Sequence, residues 1–133
     1  MSTLLLIEDS LMMATLLRMG LERAGHTVTV LHTGTPVVAT ARAQPPELIL
    51  LDALLPDIDG FTVAQQLKAD PLTCVIPLVF LTALTDETSL RLAREAGVDA
   101  VLTKLADLGA IVDAVNIFLA EVRRDAHGLP AAC

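Results

Sequence analysis

The stretch "ELILLDALLPDIDGF", from Glu47 to Phe61, decides the fold. It places four apolar residues, Leu48 to Leu51, directly before Asp52. A short apolar run of this kind, followed by turn residues, is typical of a strand buried on both faces of a parallel sheet. An unpaired carboxylate buried in that run would be strongly disfavoured. We therefore expect Asp52 to end the strand, and to be compensated by a cation or used in a reaction.

The composition fits one domain with one packed core. The chain has 133 residues, of which 53% are hydrophobic, and its mean hydropathy is +0.63. No apolar run approaches the ~20 residues that a membrane helix requires, and the chain does not begin like a signal peptide. The formal charge of -7 argues against direct nucleic-acid binding. We expect a cytoplasmic protein without membrane contact, in which Cys74 and Cys133 are free thiols.

The remaining sequence repeats a strand-helix rhythm five times. The predicted strands are residues 4–7, 26–32, 48–51, 78–81 and 100–103, and the predicted helices are 11–24, 35–43, 61–69, 86–96 and 107–124. Short buried strands alternating with helices indicate a parallel sheet covered on both sides. One domain is expected over residues 1–124, and residues 125–133 are expected to be a flexible tail or the start of a linker.

Ligands of such folds collect at the carboxyl ends of the strands, where this chain has several polar residues. They are Glu8 and Asp9 after the first strand, Asp52 after the third, Thr82 and Ala83 after the fourth, and Lys104 after the fifth. The other lysine of the chain is Lys68, so Lys104 does not belong to a general basic surface.

These residue types favour metal-assisted phosphoryl chemistry. Neighbouring carboxylates repel one another, and a divalent cation removes that conflict. Mg²⁺ prefers hard oxygen ligands, whereas the sequence has no Cys or His cluster typical of zinc. Lys104 and the hydroxyl of Thr82 suit phosphate oxygens, as do backbone N–H groups near Ala83. An aspartate can itself be the nucleophile, and Asp52 is the best candidate because its strand is the most central.

The arrangement closely resembles the receiver domain of two-component response regulators, of the single-domain chemotaxis or relay type, over about residues 2 to 124. The matching motifs are the acidic pair Glu8-Asp9, "LILLDALLPDIDG" with Asp52, Pro56 and Gly60, "LTA" at Leu81 to Ala83, and Lys104. The resemblance implies a flavodoxin-like, three-layer (βα)5 fold with strand order 2-1-3-4-5. It also implies a phosphoacceptor switch that signals by protein contact and catalyses only its own phosphorylation and dephosphorylation.

By the same resemblance, Asp52 would take a phosphoryl group from a partner's phosphohistidine, with Mg²⁺ as cofactor. Asp9, Asp52 and the Leu54 carbonyl would bind the metal, and Glu8 would reach it through water. Lys104 and Thr82 would contact the phosphoryl group.

Two residues near Lys104 depart from the family pattern. Leu105 replaces a proline that follows a cis peptide bond, and we expect a trans bond and a re-routed loop here because a non-proline cis bond costs about 2.5–4 kcal/mol. Val101 replaces an aromatic switch residue, so the coupling from Thr82 to the surface must differ or be weaker.

Leu54 and Leu84 occupy positions that flank the phosphoryl site in the family and influence dephosphorylation. Neither side chain can hydrogen-bond an attacking water. We therefore expect a slow loss of phosphate.

The first helix carries more apolar residues than one buried face needs. Helical spacing groups Met13, Leu16, Leu17, Gly20 and Ala24 inward and leaves Leu11, Met12 and Met19 toward solvent. In receivers this helix docks a histidine kinase or a histidine phosphotransfer protein. The fourth helix, fifth strand and fifth helix are the family's usual face for a downstream target or a homodimer.

Other polar residues are given ordinary structural interpretations. Asp57 and Asp59 are expected to be solvated loop residues that favour the turn before Gly60. His26, His32 and His127 are expected to lie away from the edge of the sheet where Glu8, Asp9, Asp52 and Lys104 gather, and none is expected to be a phosphohistidine.

Three alternative functions stay open at this point. A degenerate receiver would be an interaction module that does not use phosphate, and Leu105 and Val101 favour it. A metal-dependent phosphatase with an aspartyl nucleophile usually has a second acid two residues later, where this chain has Leu54. Flavin binding would need a phosphate-binding loop after the first strand, where this chain has Glu8 and Asp9.

Overall fold

A computed structural model describes residues 2–84 and 86–125. Five strand-helix units follow one another along the chain. The strands are β1 (Thr3–Ile7), β2 (Thr27–Leu31), β3 (Leu48–Leu51), β4 (Leu78–Thr82) and β5 (Ala100–Thr103), and the helices are α1 (Leu11–Arg23), α2 (Val37–Ala43), α3 (Gly60–Ala69), α4 (Glu87–Glu95) and α5 (Leu108–Asp125). The predicted elements are confirmed to within two residues at their ends. The predicted tail lies outside the described residues from position 126 onward.

The five strands form one parallel sheet in the order β2-β1-β3-β4-β5. This confirms the three-layer flavodoxin-like fold that the resemblance implies. β1 and β3 lie inside the sheet, so their apolar runs are covered on both faces by helices.

The alternation of side chains along β3 divides the core into two layers. Ile49 and Leu51 pack with α2, α3 and α4, whereas Leu48 and Leu50 pack with α1 and α5. All four side chains are buried. The uninterrupted apolar run therefore contributes side chains to the core on both faces of the sheet. Asp52 is the first residue after this run.

The predicted burial of α1 is wrong in part. Leu17 is buried as expected, but Ala14 and Leu21 complete the buried stripe, while Leu16 is 46% exposed and Ala24 is exposed. The cause is that nearly every turn of this helix offers an apolar residue, so helical spacing alone does not select one face.

The three apolar residues of α1 that were predicted to face solvent are exposed. Leu11 is 68% exposed, Met12 is 75% exposed and Met19 is 50% exposed. Gly20 faces α5, because a Cβ atom there would lie 3.1 Å from Val112 Cγ2.

The prediction that the cysteines are free thiols is wrong for Cys74, which is disulfide-bonded. Redox state depends on spatial proximity, which a two-cysteine sequence does not reveal. The prediction for Cys133 lies outside the described residues. Across the described ranges, 2–84 and 86–125, the protein has no helix long and apolar enough to cross a membrane.

Candidate functional site

Strand register brings the predicted site residues to one edge of the sheet. Ile7 of β1 pairs with Leu51 of β3, so the residues that follow them, Glu8 and Asp52, leave the sheet side by side. Thr82 of β4 pairs with Thr103 of β5, and the Lys104 N–H donates to the Thr82 carbonyl over 3.0 Å.

Lys104 lies between two buried carboxylates. Its Nζ atom lies 2.8 Å from Asp52 Oδ2, to which it donates a hydrogen bond, and 2.6 Å from Glu8 Oε1. The contact with Glu8 is a short ion pair, and it brings the buried Oε1 of Glu8 against the ammonium.

Burial and charge act against each other in this cluster. Burial raises the pKa of Glu8, and the ammonium of Lys104 and the Ser10 N–H offset this rise only in part. For Lys104, burial by itself lowers the pKa, but the carboxylates of Asp52 and Glu8 outweigh it and the pKa lies above its usual value. Lys104 therefore stays charged beside the two carboxylates.

The acidic residues have the geometry of a divalent cation site. One carboxylate oxygen from each of Glu8, Asp9 and Asp52 lies within 4.8 Å of the other two. Glu8 and Asp52 are buried, whereas Asp9 is exposed to solvent. These hard oxygen ligands fit Mg²⁺, which keeps several waters and needs only one or two carboxylates.

The other predicted site residues border this cluster. The Leu54 N–H donates to Asp52 Oδ1 over 3.0 Å, which places the predicted carbonyl ligand in the adjoining loop. Thr82 is buried at the end of β4, and its hydroxyl accepts a hydrogen bond from the Leu84 N–H over 3.1 Å. Ala83 is exposed between them.

Leu105 does not misdirect Lys104. No peptide bond in the described ranges is cis, which confirms the expected trans bond. Leu105 is 80% exposed, and its N–H donates to Thr103 Oγ1 over 3.0 Å. The Thr103 side chain therefore stabilises the turn after β5, and Lys104 still contacts Asp52.

One loop residue near the site has contacts that its sequence interpretation missed. Asp57 is exposed, as expected, but its carboxylate also accepts the N–H groups of Gly34 and Thr35, each over 2.8 Å, and the Thr35 hydroxyl. The Thr35 hydroxyl and the Gly34 N–H hold the pKa of Asp57 well below its usual range. Asp59, in contrast, caps α3 as a turn residue should.

The prediction that His32 lies away from the edge of the sheet where the site residues gather is wrong. Its Nδ1 atom lies 2.9 Å from the Glu8 carbonyl oxygen, to which it donates. The cause is topological, because β2 pairs with β1 and ends beside it. The prediction for His127 lies outside the described residues.

Comparison with known proteins identifies the family. Residues 4–116 match the response regulator receiver domain family. Protein PilH of Pseudomonas aeruginosa is 32% identical over 120 residues, which cover 90% of this chain and 99% of PilH. The transcriptional regulatory protein AfsQ1 of Streptomyces coelicolor is 37% identical over 114 residues, which cover 86% of this chain and 49% of AfsQ1.

Among solved structures, the Mn²⁺-bound form of response regulator Rcp1 has a TM-score of 0.78 and 32% identity, with 89% of this chain and 94% of that chain covered. This chain belongs to the response regulator receiver domain family. Receiver domains are phosphoacceptor switches of two-component systems and are not enzymes in the usual sense. The chain spans about half the length of relatives such as AfsQ1, whereas it matches nearly all of PilH.

Proposed function

We propose that Asp52 accepts a phosphoryl group from the phosphohistidine of a partner protein, in the presence of Mg²⁺. One carboxylate oxygen of Asp52 attacks phosphorus, an O–P bond forms, and the N–P bond to the imidazole breaks. The imidazole leaves with the electron pair of that bond. The observation that carries the proposal is a buried carboxylate with Lys104 at 2.8 Å and two further acids around it.

The chain's own residues have distinct roles in this proposal. Asp9, Asp52 and the Leu54 carbonyl would hold Mg²⁺, with Glu8 acting through water. The ion, when bound, offsets the negative charge that gathers as a phosphate approaches carboxylates. Lys104, the Thr82 hydroxyl and the Ala83 N–H would bind the phosphoryl oxygens.

Protein contacts would supply the input and transmit the output. The exposed Leu11 and Met12 of α1 support docking of a sensor histidine kinase or a histidine phosphotransfer protein. The face formed by α4, β5 and α5 is the proposed contact for a downstream target or a second copy. Residues 1–124 would form the receiver unit, followed by a tail or linker. The cytoplasmic location stays a prediction.

Intact-protein mass spectrometry after incubation with acetyl phosphate and Mg²⁺ tests the phosphoacceptor. We expect one added phosphoryl group. It should be absent when a chelator is included in the incubation, and absent in Asp52→Asn. Asp86→Asn is the matched control, because Asp86 caps α4 and should not be needed for labelling. Labelling of Asp52→Asn at the normal rate would refute the assignment.

The same preparation distinguishes a phosphate-independent interaction module, which Leu105 and Val101 favour. A working site should bind beryllofluoride with Mg²⁺ even if acetyl phosphate is refused. Failure of both acetyl phosphate and beryllofluoride would support the degenerate receiver.

A further inference from the structure

Three of the loops at the carboxyl edge of the sheet contact one another, and two of these three carry the proposed metal ligands. The first loop, between β1 and α1, contains Glu8 and Asp9, and the second, residues 52–59, follows β3. The third loop, residues 32–36 between β2 and α2, supplies no proposed ligand. It nevertheless contacts both of the others.

The last residue of β2 and the first residue of the third loop both contact the first loop through the backbone of Glu8. The Glu8 N–H donates to the Leu31 carbonyl over 2.9 Å, and the Glu8 carbonyl accepts a hydrogen bond from His32 Nδ1 over 2.9 Å. Both backbone polar groups of a proposed site residue are therefore bound to two consecutive residues at the end of β2.

The third loop holds the second through Asp57. The α2 helix has Pro36 at its N-cap and no side-chain cap hydrogen bond. Its preceding N–H groups, at Gly34 and Thr35, donate instead to the Asp57 carboxylate from the neighbouring loop. An acceptor from another segment thus satisfies donors near the helix start that would otherwise need water.

Gly34 allows the two loops to pack this closely. A Cβ atom at Gly34 would lie 2.4 Å from Ile58 Cγ2 and 3.1 Å from Leu55 Cδ1. Gly34 is buried, and Leu55 and Ile58 pack against the core layer under α2 and α3. Apolar packing and the Asp57 hydrogen bonds therefore hold the loops together at the same point.

We infer that residues 32–35 brace the metal site, with His32 and Asp57 as positioning residues that hold the two ligand-bearing loops at a fixed separation. This inference rests on the proposed function. Mg²⁺ demands near-ideal octahedral geometry, so ligands from two loops must keep their spacing. Partners that orient ligands without touching the metal typically change metal affinity by about 10–100-fold when removed.

The test separates positioning from ordinary stabilisation by measuring Mg²⁺ affinity apart from folding. Isothermal titration calorimetry with Mg²⁺ gives the dissociation constant, and labelling by acetyl phosphate gives the half-saturating Mg²⁺ concentration and the maximal rate. Asp57→Ala and His32→Ala are each expected to raise both Mg²⁺ constants about tenfold. The maximal rate at saturating Mg²⁺ should change much less, because Asp52 and Lys104 stay in place.

Asp70→Ala is the matched control. Asp70 joins the same two helices at the opposite edge of the sheet, where its carboxylate accepts the Leu72 N–H over 2.8 Å and pairs with Arg42 over 3.3 Å. The Asp70→Ala substitution should lower the midpoint of thermal unfolding. It should leave the Mg²⁺ dissociation constant and the half-saturating Mg²⁺ concentration unchanged.

Each outcome bears on the inference. If the wild type binds Mg²⁺ and is labelled, but Asp57→Ala and His32→Ala bind Mg²⁺ as the wild type does, the brace is refuted. If the wild type itself neither binds Mg²⁺ nor is labelled, the proposed function fails instead. Should Asp57→Ala not fold, Thr35→Val removes only one hydroxyl donor to Asp57 and should still weaken Mg²⁺ binding measurably; an unchanged constant would overturn the inference.

Discussion

Lys104 Nζ lies 2.8 Å from Asp52 Oδ2, although β4 separates the strands that carry these two residues. The lysine reaches over the end of β4 and also lies 2.6 Å from Glu8 Oε1. Its ammonium therefore acts as the internal counter-ion of two buried acids. This arrangement makes the charge balance of the site depend on one side chain.

Lys104→Met should destabilise the protein and impair phosphorylation. Removing the cation leaves Glu8 and Asp52 without their partner, at a cost of about 2 kcal/mol for a site with some solvent access. Urea unfolding followed by far-UV circular dichroism measures this, since the chain has no Trp or Tyr to report by fluorescence. A second change, Glu8→Gln, should restore part of the loss. A Lys104→Met variant as stable as the wild type would contradict this account.

Gly60→Ala should be strongly destabilising. A Cβ atom at Gly60 would lie 2.4 Å from the Asp52 carbonyl oxygen and 2.6 Å from Ala53 Cα, so backbone must move. We expect a loss of about 1–3 kcal/mol or more in urea unfolding. Gly109→Ala in the first turn of α5 is the control, because its nearest neighbour would be Asp107 Oδ1 at 3.4 Å. That change should be neutral or slightly stabilising.

Asp57→Asn should change the dependence of stability on pH in acid. The folded-state pKa of Asp57 lies below its ordinary value, so its contribution is complete above the unfolded pKa and is lost as pH falls toward the folded pKa. The stability advantage of the wild type over Asp57→Asn should be constant between about pH 7 and pH 5 and shrink below about pH 4. Urea midpoints of both proteins measured across this pH range test the prediction. A wild-type advantage that grows as the pH falls would contradict it.

Phosphorylated Asp52 should lose its phosphoryl group slowly. Leu54 and Leu84 flank the site, and neither can hydrogen-bond an attacking water. Leu54 is 56% exposed, so Leu54→Asn should be tolerated and should shorten the lifetime by placing a polar group near the phosphoryl group. Phosphate release after removal of the donor measures the lifetime. A wild-type half-life of seconds would contradict the prediction.

Met12→Asp should weaken protein-dependent phosphorylation alone. Met12 is 75% exposed on α1, so a charge there should disturb an apolar contact without disturbing the core. Transfer from a phosphorylated histidine kinase that labels the wild type should slow, while labelling by acetyl phosphate stays unchanged. Equal kinase transfer for both proteins would show that Met12 is merely an exposed apolar residue.

The sequence allowed prediction of those features that depend on strand ends. An apolar run as short as Leu48 to Leu51, followed by Asp52, predicts both a buried parallel strand and the edge at which polar residues gather. Parallel sheets bring all such ends together, so the grouping of Glu8, Asp52 and Lys104 could be expected before any coordinates.

Features that depend on neighbouring loops or on helix rotation could not be predicted in this way. The contacts of Asp57 and His32 arise because β2 lies beside β1. The positions of strand ends in the sequence do not show which side chains of neighbouring loops will touch. The buried stripe of α1 was misassigned at Leu16 because apolar residues occupy several faces of that helix.

The position of β3 between β1 and β4 has a consequence for how rigidly Asp52 is held. Segments that lie at the centre of a sheet open to solvent only through the largest unfolding events, so their amide protons exchange last. Asp52 follows such a strand directly, and its N–H donates to the Ile7 carbonyl over 3.1 Å. The backbone that carries the proposed phosphoacceptor should therefore be among the last to exchange, and fraying of the surface helices would not displace it.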